Sequence, residues 1–202
     1  QALQLASELA MFLDQIQTER VSFDKLDDLV PQEFARHWQI TLDFLKILTQ
    51  NWPAILESQS VIDPADRRNL LLEAQTQLWR DNPPDYPVIA AGSIASVPAT
   101  LDLLEVIADM PKGEIILPGL DQHLDAETWD MLPADHPQYF LRKLLYQLNV
   151  DRTHVQPLVQ NPALEERERF WSEIMRPAET AGKWRQLKSR PVSNDAIQSL
   201  KL

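Results

Sequence analysis

Asp121, His123 and Asp125 stand at alternate positions of a polar loop, and all three residue types ligate divalent metals. In an extended segment that spacing turns them to one side, so a metal-dependent hydrolase is one chemistry the chain could hold. The competing expectation is that Asp121 caps a turn, because three such residues fall together on polar loops by chance. Ser93 and Ser96 follow an apolar run, but no GxSxG elbow surrounds them and no base lies nearby, so turn and helix-cap roles are expected. His136, next to Pro137, reads as a cap, while His37 and His154 have no obvious partner. Cations gather late in the chain. Residues 1–139 carry a balance of −15 and residues 140–202 a balance of +4. Arg142, Lys143, Arg152, Lys183, Arg185 and Lys188 are therefore the candidates for phosphate contacts, against the plainer reading of a solvated helical surface.

Composition narrows the rest. The chain has 202 residues, enough for one or two domains, and 44% hydrophobic residues with six Trp and six Phe supply a core. A net charge of −11 argues against nonspecific nucleic-acid binding by the whole chain. With no cysteine, a disulfide framework, a thiolate zinc site, an iron–sulfur cluster and a Cys nucleophile are all excluded. Four glycines, at 92, 113, 119 and 182, permit neither GxGxxG nor GxxxxGK[ST], and no cofactor is expected. No run of 18 apolar residues exists, so no membrane contact is expected, and a reducing cytoplasm suits the missing cysteines. Gln1 falls in mid-helical pattern, which predicts a fragment of something longer.

The elements that must position these residues are predominantly helical. Ala2, Leu5, Leu9, Phe12 and Ile16 form one apolar stripe, and Phe34, Trp38, Leu42, Leu45, Leu48 and Trp52 a second that stops near Pro53. Asp63 as N-cap and Pro64 at the first position begin a third helix, with Arg67, Leu71, Ala74 and Leu78 inward. Asn82-Pro83-Pro84-Asp85 breaks the pattern. Two apolar runs, Pro87 to Ala91 and Glu114 to Leu117, flank a helix opened by Pro98 with Leu101, Leu104, Ile107 and Ala108 inward. Strand, helix and strand within about 30 residues make a parallel βαβ unit, and unbroken apolar strands predict cover on both faces. Later come a helix on Leu141, Leu144, Leu145 and Leu148, and an extended piece at Val155 to Val159. A helix from Pro162 to about Arg176 follows, with Leu164, Trp171, Ile174 and Met175 inward. Trp52, Trp79, Trp129, Trp171 and Trp184 are expected in cores or seams. The expected organisation is a helical subdomain over 1–83, an α/β portion over 84–187 and a frayed tail over 188–202.

This order of elements resembles the middle of the first motor domain of superfamily 1 helicases. More specifically, the block PVIAAGSIASVPATLDLLEVIADMPKGEIILPGLD is similar to the AddB subunit of AddAB-type helicase–nucleases, in its alphaproteobacterial form. Phe34-Ala35-Arg36-His37-Trp38-Gln39, His136-Pro137-Gln138, and Met175 to Thr180 with Trp184 fit the same family. In those helicases the first strand ends in Asp-Glu followed by Gln. Here the Mg²⁺-holding Asp falls on Ala91, the water-activating Glu on Gly92 and the Gln on Ile94. Phosphoryl transfer needs a metal carboxylate and a water-orienting group at that place, and neither is supplied. Gly119 and Asp121 resemble a remnant of the second strand's loop. The resemblance therefore implies a helicase-like scaffold without ATP hydrolysis. Its implied role is in double-strand break repair: packing on the AddA motor, holding DNA and helping to recognise a Chi-type signal.

Overall fold

A computed structural model describes residues 2–22, 44–159 and 162–187. The chain is mostly helical and carries one small parallel sheet among the described residues. It divides into two compact units, Gln1–Pro83 with Val97–Leu103, and Pro84–Ser96 with Leu104–Leu202. The expected unit over 84–187 thus gives up its segment 97–103, since the helix that holds it is shared out at its midpoint. Phe34, Trp38, Leu42, His37, Lys188 and the expected tail lie outside the described residues, as does the side chain of Leu164.

In the first unit, helix α1 (Ala2–Thr18) packs on helix α3 (Pro64–Asp81). The stripe of α1 is rotated from expectation: Leu13 is buried, whereas Leu5 and Phe12 are exposed. Trp52 ends no helix. A π-turn over Ile47–Asn51 runs into helix α2 (Trp52–Gln59), with the Trp52 N–H bonded to Ile47 O. Pro53 sits in the first turn of α2, where its missing N–H costs nothing, so it starts this helix instead of stopping one.

The buried face of α3 is also turned. Ala65, Asn69 and Thr76 are buried, at helical spacing, while Leu71 is 57% exposed and Leu78 55%. Two polar residues can lie inward because each finds a partner. Asn69 Nδ2 donates to Gln17 O at 2.6 Å, and Thr76 Oγ1 to Leu72 O at 2.7 Å. Asp63 stands at the N-cap with extended backbone, yet its carboxylate does not cap the helix. It accepts from Trp52 Nε1 at 2.9 Å and from Gln17 Nε2 at 2.8 Å instead, tying α1, α2 and α3 together.

The second unit holds the sheet. Strand β1 (Val88–Ala91) pairs in parallel with β2 (Gly113–Ile116), Val88 opposite Gly113 and Ala91 opposite Ile116, and α4 (Pro98–Asp109) connects them. Leu101, Leu104 and Ile107 of α4 are buried as expected, and Ala108 is exposed. The strands are not covered on both faces. Val88 and Ala90 are half-buried while Ile89 is 57% exposed, because a two-stranded sheet wrapped on one side leaves its other face to solvent. Gly113 is required by close approach: a Cβ there would lie 1.7 Å from Ile107 O.

Beyond β2 come α5 (Ala126–Asp130), α6 (Tyr139–Gln147), α7 (Pro162–Ile174) and α8 (Trp184–Leu187). Leu124, Trp129, Leu132 and Leu145 form a core, with Leu117, Leu120 and Val155 packed against it. Arg152–His154 is a 3₁₀ turn, after which Val155 has extended backbone, and the stretch to Val159 pairs into no strand. Among the described side chains of α7 Ser172 is buried, while Trp171 and Ile174, and Met175 just beyond the helix, are exposed. Trp184 is likewise 47% exposed, so two of the five tryptophans expected in cores or seams are largely exposed.

Candidate functional site: the strand-end loops and the ionic knot

Parallel strands expose their carboxyl ends to the loops that could bind a ligand. Ala91 ends β1, and Gly92 continues its ladder by donating to Ile116 O at 3.0 Å. The chain then turns sharply: Gly92 has φ +79° and Ala95 φ +56°, both in the left-handed region. Ser93 Oγ accepts from Ala95 N at 3.2 Å, so this hydroxyl supports the turn. Ile94 is 37% exposed and Ser96 is exposed. The loop over 92–97 thus presents backbone and small side chains beyond β1, without a charged group.

The second loop is dense with polar atoms, and the structure shows where they go. Asp121 Oδ1 accepts from His123 N at 2.8 Å and Leu124 N at 3.1 Å, a closed Asx turn. Gln138 clamps the same loop from α6's entrance, donating from Nε2 to Gly119 O at 2.9 Å and accepting from Asp121 N at 3.0 Å. His123 Nε2 lies 3.8 Å from a Glu168 oxygen. Asp125 caps α5 by accepting from Thr128 N at 3.1 Å. The three residues are therefore not convergent, and among the described residues no group of three or more His, Asp or Glu could hold a metal ion.

Asp125 is instead the hub of an ionic knot. Arg176, whose side chain is only 4% exposed, donates from Nη1 to Asp125 Oδ2 and Thr128 Oγ1, each at 2.6 Å. Its Nε and Nη2 fork onto the two Glu173 oxygens at 2.8 and 2.7 Å. Lys183 Nζ bridges Asp125 at 2.6 Å and Glu127 at 2.7 Å. Desolvation pushes the Asp125 carboxyl up, but hydrogen bonds from Lys183, Arg176 and Thr128 together outweigh it and hold the group well below the usual carboxylate range. Glu173, ahead of Asp125, raises the Arg176 guanidinium against its own desolvation. Beside the knot His136 is buried. Its Nδ1 accepts from Gln138 N at 3.1 Å, which leaves Nε2 to donate to Met175 O at 2.8 Å.

The six cations singled out for phosphate contact divide. Arg152 stacks 4.5 Å over the Trp129 ring and donates to Asp121 O at 2.9 Å and Leu124 O at 2.6 Å. Arg142 donates to Trp129 O at 3.1 Å and to Asp130 O, and lies 5.3 Å over Tyr139. Lys183 belongs to the knot. These three heads hold the fold together, so the surface reading of them is corrected. Lys143 and Arg185 are exposed, and Lys188 lies outside the described residues.

Sequence reasoning missed Arg176, Glu173 and Glu127. One signal was there: Asp125-Ala126-Glu127 before Thr128 is an N-cap with an acid in the first turn. Nothing local marks Arg176, whose partners Asp125 and Thr128 stand 51 and 48 residues earlier. Comparison with protein-family models, with curated proteins and with solved structures finds no match for this chain. Among the described residues no helix is long and apolar enough to cross a membrane.

Proposed function

We propose that this chain is a non-catalytic, helicase-like part of an AddB-type subunit of a DNA double-strand break repair helicase–nuclease. In this reading it packs on an AddA-type motor and helps to hold DNA and to recognise a Chi-type signal in it. One observation carries the reading: Ala91 and Gly92 stand at the carboxyl end of β1, which runs parallel to β2. A motor of this kind needs its Mg²⁺ carboxylate and water-activating acid at that place. A shaped strand end without them suits a surface that holds a strand rather than one that turns over ATP.

The test is twofold. The purified protein, given Mg²⁺ and ATP, is expected to release no phosphate above background. In fluorescence anisotropy it is expected to bind labelled single-stranded DNA weakly, with affinity falling as salt rises. Lys143→Glu with Arg185→Glu is expected to weaken that binding. ATP turnover abolished by a substitution within this chain would overturn the proposal.

A second reading has its own support. Arg142, Arg152 and Lys183 spend their charge internally, and a chain of net charge −11 offers DNA little else. A protein-interaction scaffold that never touches DNA accounts for both facts, and anisotropy that stays flat at low salt would favour it. The hydrolase reading through Asp121, His123 and Asp125 has lost its donor set, because both carboxylates already serve backbone and cations.

A further inference from the structure

His136 is buried, and its backbone is pinned on both sides. Its N–H donates to Pro133 O at 3.0 Å, and its carbonyl accepts from Tyr139 N at 2.9 Å. Both ring nitrogens are committed as well. Pro137 has no N–H, so Gln138 carries the first donor that the entrance of α6 must satisfy, and His136 Nδ1 accepts it at 3.1 Å. Met175 O can only accept, so Nε2, 2.8 Å away, holds the proton of the neutral ring. The place is built for neutral imidazole, because the partner at Nδ1 is a backbone N–H that cannot turn round.

That bond reaches beyond one helix end. Gln138 grips the loop after β2, donating from Nε2 to Gly119 O at 2.9 Å and accepting from Asp121 N at 3.0 Å. Arg152 holds the other end of the loop through Asp121 O and Leu124 O. A proton added at Nδ1 would set N–H against N–H and break the bond to Gln138. No acid takes up the new charge: among the described residues none lies within ion-pair distance of the His136 ring. Its own segment brings Asp135, which is exposed, and Tyr139. The loop brings Asp121, whose carboxylate accepts from two backbone N–H groups. The end of α7 brings Glu173 and Arg176, which pair with each other and, through Arg176, with Asp125. We propose that His136 is a proton-sensitive latch: neutral, it fixes Gln138 and through it the Gly119–Asp121 stretch beyond β2; protonated, it releases Gln138 and frees that stretch from α6. Histidine is the side chain whose ordinary charge change falls between about pH 5 and 8. The latch is a property of the fold and stands apart from the DNA-repair reading.

The experiment follows the full ¹⁵N-labelled chain by NMR from about pH 8 to about pH 5. It reads the His136 ring, the backbone and side-chain amides of Gln138 and the Asp121 amide. These signals are expected to shift together along one titration curve. His136→Asn puts an amide oxygen in the place of Nδ1, which accepts at every pH, and is expected to abolish the shifts of Gln138 and Asp121. Gln138→Ala cuts the link on the other side: the ring still titrates, and the Asp121 amide no longer follows it. Near-ultraviolet circular dichroism checks that each variant stays folded, and the wild-type curves decide alone if one does not. Asp121 movement that persists in His136→Asn would belong to His123 or His154 and overturn the proposal. So would a wild-type ring that titrates while Asp121 and the Gln138 side chain stay still, or one that takes up no proton across the range.

Discussion

The two units bury different kinds of polar group. In the second, Arg176 and Arg152 are drawn inward, and their donors meet carboxylates, carbonyls, a hydroxyl and a ring face. In the first, the inner face of α3 is partly polar, and two amide oxygens at its junction with α1 are left over. Leucines at 70, 71 and 78 of the same helix face outward. Each unit leaves buried polar atoms over, Gln17 Oε1 and Asn69 Oδ1 in the first and the Ser172 hydroxyl in the second; what separates them is that the second draws guanidinium heads inward and the first draws amides. The contrast teaches that a charged cluster can be architecture, whereas a leucine-bearing helix can turn its leucines outward when amide and hydroxyl groups take the inner positions.

The largest expected effect comes from breaking the satisfied side. Arg176→Met would take the buried cation from Asp125 and Glu173; both acids reach solvent and Asp125 keeps Lys183, so a loss of about 3 kcal/mol is expected, the scale of a charge-assisted hydrogen bond. Urea denaturation should show the midpoint falling, and an unchanged midpoint would remove the knot from any structural role. Next is Gly113→Ala, whose added methyl collides with Ile107 O. Backbone cannot yield as a side-chain tip does, so a loss of roughly 1–3 kcal/mol is expected in the same assay.

The knot also predicts a pH dependence. Asp125 is held below its unfolded value, so its contribution is complete above that unfolded value of about 4 and is lost as pH falls further. Thermal melts should therefore show wild type losing stability below about pH 4. Asp125→Asn should be less stable near neutrality and have a flatter acid limb; parallel limbs would refute the assignment. The smallest effect sharpens the other unit. Leu71 lies on the expected inner face but is 57% exposed, so Leu71→Ala should change stability by no more than about 0.5 kcal/mol. A loss of several kcal/mol would return the sequence's version of α3's face.

Local signals were readable where they are local in physics. Asp63-Pro64 marked the start of α3, Pro98 the start of α4, and two apolar runs the strands, because caps and strand composition act within a few residues. Helix ends were less legible. Arg20, Ser60 and Asn149 take the left-handed cap position that glycine usually signals, and with four glycines in the chain that signal was absent. For the site, Asp121 was legible as a turn cap and Ser93 as a turn residue, both short-range bonds. The partners of Asp125, Arg142, Arg152 and Lys183 were not legible, because spacing in a loop says nothing about which group arrives from far along the chain.

By itself, then, the sequence determined a mostly helical chain with one parallel βαβ unit, without thiol chemistry and without a glycine-rich phosphate cradle. It also placed Ala91 and Gly92, and no carboxylate, at the carboxyl end of β1. Only the tertiary structure decided which face of α1 and α3 lies inward, that Asp63 ties three helices instead of capping one, and that Arg142, Arg152 and Lys183 are spent. The physical reason is common to these: an amphipathic helix with leucines on several sides has more than one face to bury. The choice among them falls to long-range hydrogen bonds such as Asn69 to Gln17 and Arg176 to Asp125, which no local pattern encodes.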